Sequence, residues 1–421
     1  MRILLINTSE RIGGAAVAAV RLMEALTANG VKAKLLVRDK QTEAISVVPL
    51  KGSWRLMWKF VWERIVIWRA NHFKKHQLFA VDIANTGTDV TPLPEFREAD
   101  VVHLHWINQG MLSLKQIDKI LASGKPVVWT MHDMWAATGI CHHARQCDRY
   151  VTGCHHCPYL YGGGGKHDLA YRTYRRKLKL YKGRKIHFVA CSQWLKTEVE
   201  KSLLLAGQSV TVIPNPINTR LFRPMNKQEA RRACQLPEAG RLLLFGSVKI
   251  TDKRKGFDYM VESCQLLAEQ HPELTDRLGV IVLGNQSRRL ENLLPFKVYP
   301  MDFVIDEHRL VEIYNAADLY VTPSLEENLP NTIMEAMACG VPCVGFRTGG
   351  IPEMIDHEQN GYVADYRSAE DFARGIFSLL TAPDYTALSE QACRKVSTHY
   401  SEQAVAKRYI ELYNQISGSH A

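Results

Sequence analysis

No apolar run in this 421-residue chain approaches the roughly 18–20 residues that a membrane-spanning helix needs. The start, "MRILLINTS", goes straight into a strand pattern, so no separate signal peptide is read there. The ten cysteines lack regular spacing, which argues against a secreted disulfide scaffold and for a reducing cytoplasm. There is no short-period repeat and no low-complexity segment. The dinucleotide fingerprint G-x-G-x-x-G is also missing, although Asp39 ends the second strand where a ribose-binding acid would stand, and this argues against an NAD site. Acidic residues are outnumbered, 43 against 53 Lys and Arg, for a formal charge of +10. That balance favours an anionic partner: nucleic acid, a phosphorylated substrate or a lipid surface.

What is present is alternation. "RILLINT", "AKLLVRD", "VVHLHW", "PVVWTMHD", "KIHFVACS" and "VTVIPN" read as strands, with helical patterns between them. "PNPINTRLFRP" (214–224) reads as a loop or linker, after which "RLLLFGSV", "LGVIVLG", "DLYVTPS" and "PCVGFR" restart the series. Strands separated by helical segments indicate parallel sheets covered by helices. The expected domains are 1–215, with a Cys-rich insert at 141–158, then 216–399, and a C-terminal helix over 400–421 that crosses back to the first domain.

The stretch "PSLEENLPNTIMEAMACGVPCVGFRTGGIPEMI" (323–355) carries the most information. Glu327 and Glu335 are separated by seven residues, and "EAMACGVPCV" and the Gly-Gly of "TGGIPE" follow in order. This resembles the C-terminal signature of retaining GT-B glycosyltransferases of the GT4 family, and the likeness extends over nearly the whole chain. It implies an α/β, GT-B fold: two Rossmann-like, doubly wound domains facing a central cleft. It also implies that Glu335 binds the ribose of a nucleotide sugar, that Glu327 holds the hydroxyls of the transferred sugar, and that Asn328 and Leu329 line the donor site. From the residues alone, Asn331 is expected to cap a helix with Glu335 in its first turn, and that helix start suits a diphosphate. The plainer alternative is a pair of acids serving only as cap and dipole partners.

A leaving diphosphate needs positive charge. The chain contains no Asp-x-Asp, the motif that holds a metal in GT-A enzymes, so no catalytic divalent metal is expected. "SVKITDKRKGF" offers Lys249, Lys253, Arg254 and Lys255 instead. Lys255-Gly256 matches the family's "KG". The position of its Arg partner is open between Lys249 and Arg254, because this loop is longer. The alternative is a solvated basic loop.

On the acceptor side, Gly13 and Gly14 follow the first strand and allow close backbone approach at a helix start. By resemblance they approach the donor phosphate and the acceptor. His132 ends the strand in "WTMHDMW" and matches a histidine that positions acceptor and sugar. A buried histidine satisfied by backbone is the alternative. His103 and His105 alternate onto one side of the neighbouring strand.

"CHHARQCDRYVTGCHHCP" (141–158) holds Cys141, Cys147, Cys154 and Cys157, spaced C-x5-C-x6-C-x2-C, and four histidines. A structural zinc ion is one reading, with a histidine able to replace a thiolate. Disulfides or free thiols are the other. A nucleic-acid finger does not fit a single insert without the C-x2-C…H-x3-H pattern. "KGSWRLMWKFVWERIVIWRANHFKKH" (51–76) carries four of the eight tryptophans and seven Lys or Arg against one Glu. It lies either in an anionic membrane surface, helped by the basic run 174–185, or as a helical hairpin packed on the core.

The expected function is transfer of a sugar, with retention, from a nucleotide diphosphate sugar, UDP- or GDP-linked first, to a glycan or polyprenyl-diphosphate-linked acceptor. The setting is bacterial capsule, O-antigen or exopolysaccharide synthesis in the cytoplasm, at the inner face of the plasma membrane, with no nucleic-acid partner. The alternatives are a phosphorylase or epimerase on the same fold, or a basic zinc-containing nucleic-acid-binding protein.

Overall fold

Alternate residues of the first strand go to opposite sides of a sheet: Ile3 and Leu5 join one buried cluster, Leu4 and Ile6 another. Such two-sided burial is why the "ILLI" at the strand's centre is apolar throughout rather than alternating. In the computed structural model, which describes residues 1–418, the chain forms two units. One is residues 1–216 with the chain from Val405 on, and the other is residues 217–404.

The first unit holds β1 (Arg2–Ser9), β2 (Lys32–Asp39), β3 (Val47–Pro49), β4 (Val101–Leu104), β5 (Val127–Met131), β6 (His187–Ala190) and β7 (Ser209–Val212). They pair in parallel in the order β3-β2-β1-β4-β5-β6-β7. Parallel neighbours need crossovers, and most of these run through helices, although only residues 40–46, without a helix, join β2 to β3. The helix Gly14–Ala28 covers one face. Beside it lies the terminal helix Glu402–Gly418, whose Val405, Tyr409, Leu412 and Tyr413 are buried with Ile3, Leu5 and Val128. The terminal helix is tied to the sheet by polar bonds as well. His103 Nδ1 is 2.7 Å from the Tyr413 hydroxyl, and the Thr130 and Tyr409 hydroxyls are 2.9 Å apart.

The second unit holds β8 (Arg241–Lys249), β9 (Leu278–Asn285), β10 (Lys297–Met301), β11 (Leu319–Thr322), β12 (Cys343–Phe346) and β13 (Gly361–Ala364). All pairs are again parallel, in the order β10-β9-β8-β11-β12-β13. Each sheet therefore reverses its strand order once, between β1 and β4 and between β8 and β11. In open doubly wound sheets, ligands bind at the carboxyl ends of the strands around that reversal. The loops after β1, β8 and β11 carry the Gly-Gly, basic and acidic motifs.

The segment 51–76 is not a hairpin. It is one helix, Ser53–Ala70, followed by turns. In the run 174–185, Arg175, Arg176, Lys179, Lys182 and Lys185 are exposed, but one cation turns inward. Lys177, in the helix Leu169–Tyr181, is fully buried and donates to the carbonyls of Trp135 (2.6 Å) and Thr138 (3.0 Å).

Candidate functional site

In the second unit three loops are braced against one another at the carboxyl ends of β8, β11 and β12. Gly256 has φ +70°, and a Cβ on it would stand 1.8 Å from the Pro323 carbonyl oxygen. The Leu325 N–H donates to the Arg254 carbonyl at 2.7 Å. Gly349, φ +55°, lies so close to Glu327 that a Cβ would meet the Glu327 carbonyl oxygen at 1.6 Å, and the Gly350 N–H donates to the Asn328 carbonyl at 2.8 Å. These contacts give a physical reason for the glycine of "KG" and the first glycine of "GG": only glycine leaves room for the neighbouring backbone.

This bracing brings Lys255 and Glu327 together in an ion pair, with the Ser324 hydroxyl donating to the same carboxylate oxygen at 3.1 Å. Arg254 pairs with Asp252 at 2.7 Å, and the Asp252 side chain also accepts from the Arg254 N–H. Lys249 is exposed at the end of β8, where the register against β9 shifts after Gly246. Leu329 is buried. The helix after the acidic loop runs Asn331–Ala338 and corrects the capping expectation: Pro330 is the N-cap, no side chain caps it, and Glu335 falls in the second turn rather than the first. Proline presets the backbone for helix entry, which leaves Asn331 inside. Glu335 is buried, and one carboxylate oxygen accepts from the Tyr314 hydroxyl at 2.7 Å.

The first unit carries a histidine cluster. Gly13, φ +93°, is the N-cap of the helix that Gly14 begins, and a Cβ on it would meet nothing within 4 Å. His132 follows β5. Its Nε2 is 3.0 Å from His105 Nδ1, its Nδ1 is 3.7 Å from the Cys191 thiol, and the two imidazoles stack. The His103 ring lies tilted against that of His105, with centroids 4.2 Å apart, and is held by Thr130 and Tyr413. Burial pushes His132 down to about 4 and His103 to about 3, so both rings are neutral near pH 7.

A buried charge chain stands beside them, and sequence reading missed it. Asp133 accepts from Trp106 Nε1 at 2.9 Å and from the Trp135 N–H at 2.8 Å. His142 bridges Asp133 (2.7 Å) and Asp82 (2.6 Å). Asp82 in turn pairs with Arg64, whose neighbour Glu63 accepts from the N–H groups of Ile83 and Ala84. Burial opposes the charge on His142, but the two carboxylates outweigh it and lift the ring to about 10. His142 is therefore a charged link between carboxylates, not a metal ligand. The available clue was Asp133 directly following His132; residues 63, 82 and 142 share no local pattern.

Of the readings of the Cys-rich insert, the structure matches free thiols rather than zinc. Cys141, Cys147, Cys154 and Cys157 line one small cavity of about 10 Å³, with Tyr150, Tyr159 and Ala170. The Gly139 N–H donates to the Cys154 sulfur at 3.1 Å. Burial lifts the Cys141, Cys154 and Cys157 thiols to about 12. Among the described residues no group of three or more His, Cys, Asp or Glu is arranged to hold a metal ion, and the ten cysteines are free thiols. The structure gives the zinc reading no support: the thiols pack as small apolar groups.

Residues 12–221 match the family Glycosyltransferase Family 4, and residues 239–382 match the family Glycosyl transferases group 1. The chain is similar to a D-inositol 3-phosphate glycosyltransferase of Thermobispora bispora, 29% identical over 219 residues, 49% of this chain and 51% of that protein. It is similar to an uncharacterized glycosyltransferase of Methanocaldococcus jannaschii, 27% identical over 365 residues, 79% and 89% of the two chains. With the first of these, the match spans about half the relative's length. Among solved structures it resembles a sucrose-phosphate synthase from Thermosynechococcus elongatus (TM-score 0.66, 18% identical, 100% of both chains). It also resembles Anabaena HepE in complex with UDP-glucose (TM-score 0.61, 16% identical, 99% and 100%). At those identities the likeness carries the fold.

Proposed function

The chain belongs to the GT-B glycosyltransferases, with a Family 4 part followed by a group 1 part, and on that premise we propose that it transfers a sugar, with retention, from a UDP- or GDP-sugar to a glycan or polyprenyl-diphosphate-linked acceptor. The setting proposed is bacterial surface polysaccharide synthesis at the cytoplasmic face of the membrane. The observation that carries the reading is the Lys255–Glu327 pair, braced by Gly256 and Gly349 in one unit with the buried Glu335.

In this reading the Glu335 carboxylate, one oxygen fixed by Tyr314, accepts from the ribose hydroxyls. Glu327 holds hydroxyls of the transferred sugar, with the backbone of Asn328 and Leu329 beside it. Lys255 moves from Glu327 to the diphosphate when the donor binds and stabilises the charge that grows as the sugar–phosphate bond breaks. Lys249 or Arg254 supplies the second cation. The leaving phosphate takes the acceptor's proton, so Glu327 is not a nucleophile. Neutral His132, oriented by His105, positions acceptor and sugar, and Gly13-Gly14 approach the phosphate. HepE, solved with UDP-glucose, supports UDP as the first nucleotide to try.

The test is a thermal-shift panel of UDP-, GDP-, ADP- and dTDP-sugars. A ligand that binds only the folded state raises the midpoint by mass action. A shift with one nucleotide family, lost in Glu335→Ala while that variant still melts cooperatively, is the expected result. Full transfer activity in Glu335→Ala overturns the donor assignment.

A further inference from the structure

The helix Ser53–Ala70 is sorted the wrong way round for a helix that only covers a core. Its inward side carries Leu56 and Ile67 but also the buried pair Glu63 and Arg64. Its outward side carries Trp54, Met57, Trp58 and Trp62, which are 64, 65, 61 and 55% exposed, followed by the exposed Ile65 and Trp68. Spacings of three and four place these on one face. The exposed Phe73 extends the stripe, packed edge-on against Trp68 at 4.8 Å. An amphipathic helix normally turns such a stripe inward, and a contiguous exposed apolar patch marks a surface that something covers.

The charge around the stripe says what covers it. Lys51, Arg55, Arg69, Lys74 and Lys75 are all exposed, and the one acid between Lys51 and Val81, Glu63, is buried. Indoles favour the headgroup level of a bilayer, and a face of tryptophans flanked by cations is the composition of a helix lying in an anionic interface. No helix among the described residues is long and apolar enough to cross a membrane. We infer that the outward face of Ser53–Ala70 docks this protein onto an anionic lipid surface, with the indoles at headgroup depth and the Lys and Arg side chains against lipid phosphates.

The helix also sits where a lipid-borne acceptor would be used. It leans on the loop after β4: Gly110 has φ +79°, and a Cβ on it would stand 2.8 Å from the Phe60 nitrogen. Its Arg64 holds Asp82, which His142 links to Asp133, the neighbour of His132. The use of this surface to bring a polyprenyl-linked acceptor to His132 rests on the proposed transfer; the lipid contact itself stands on the exposed face.

The test is flotation of the full chain with vesicles of mixed phosphatidylethanolamine and phosphatidylglycerol, and with phosphatidylcholine alone, read together with tryptophan emission. Flotation with the anionic vesicles and a blue shift are expected. The combined variant Trp54→Gln, Trp58→Gln, Trp62→Gln should partition at least about tenfold more weakly, with its melting curve unchanged because these side chains are exposed. Equal binding to phosphatidylcholine overturns the anionic requirement. Equal binding by the variant overturns the surface. A lipid-indifferent dimer that the variant converts to monomer assigns the stripe to a second copy and overturns the inference. A nucleotide-sugar thermal shift needs no lipid, so its persistence after a failed flotation leaves the transferase reading standing.

Discussion

The Tyr314 hydroxyl donates to Glu335 across 2.7 Å, and both side chains are buried. The bond fixes the rotamer of the carboxylate that the proposed donor site depends on. A hydrogen bond to a charged group contributes about 1.5–3 kcal/mol. Tyr314→Phe should therefore raise the KM for the nucleotide sugar by roughly tenfold or more, with a smaller change in kcat, because ribose contacts are made in ground and transition states alike. Steady-state kinetics with varied donor checks this. An unchanged KM would show that the carboxylate is oriented without the phenol.

Gly256→Ala places a methyl group where the Pro323 carbonyl now stands, at a backbone conformation that side chains disfavour. The loop carrying Glu327 must move away from Lys255. The expected cost is on the order of 2 kcal/mol, with weakened donor binding, measured by denaturant unfolding and ligand-induced shift. Gly13→Ala, which meets nothing within 4 Å, should carry only the smaller cost of its positive φ.

The buried histidines should make contributions of opposite sign to the pH dependence of stability. His132 and His103 are held below the ordinary histidine value, at about 4 and about 3, by burial. Below about pH 6.5 the unfolded chain takes up protons that the folded one refuses, so their contribution fades as pH falls towards 4. His142, raised to about 10 by Asp133 and Asp82 against the opposing effect of burial, contributes fully below about pH 6.5 and loses its contribution as pH rises towards 10. His142→Asn should lower Tm at pH 7, flatten the alkaline limb and leave the acid limb. Melting curves from pH 4 to 10 decide it, and an alkaline limb of unchanged slope would count against the charged bridge.

The thiols of Cys141, Cys154 and Cys157 are buried and pushed up to about 12. The thiolate is the reacting species. A disulfide reagent such as DTNB should therefore label these three only when the protein opens, at least about a hundredfold more slowly than in denaturant. Mass mapping of labelled peptides would identify them, and fast labelling in the native protein would contradict the packed cavity.

What the amino-acid sequence settled by itself was local and periodic. Apolar strands separated by helical segments specify parallel sheets because a strand buried on both faces has no polar side to show. The reversal point of each sheet then gathers the loops after β1, β8 and β11, so Gly13, Lys255 and Glu327 were legible at the strand ends. Even there, Pro330 rather than Asn331 stands at the N-cap, since both fit the pattern and only the loop's path chooses. Tertiary structure decided the rest. Whether the tryptophan stripe of Ser53–Ala70 faces in or out depends on what the opposite side can bury, and there Glu63 and Arg64 found Asp82, Ile83 and Ala84. Whether His142 binds a metal or carries a charge depends on carboxylates at positions 82 and 133, distant from each other in the chain. A histidine's pKa and a thiol's reactivity come from the surroundings that enclose them, and those are assembled only when remote segments pack.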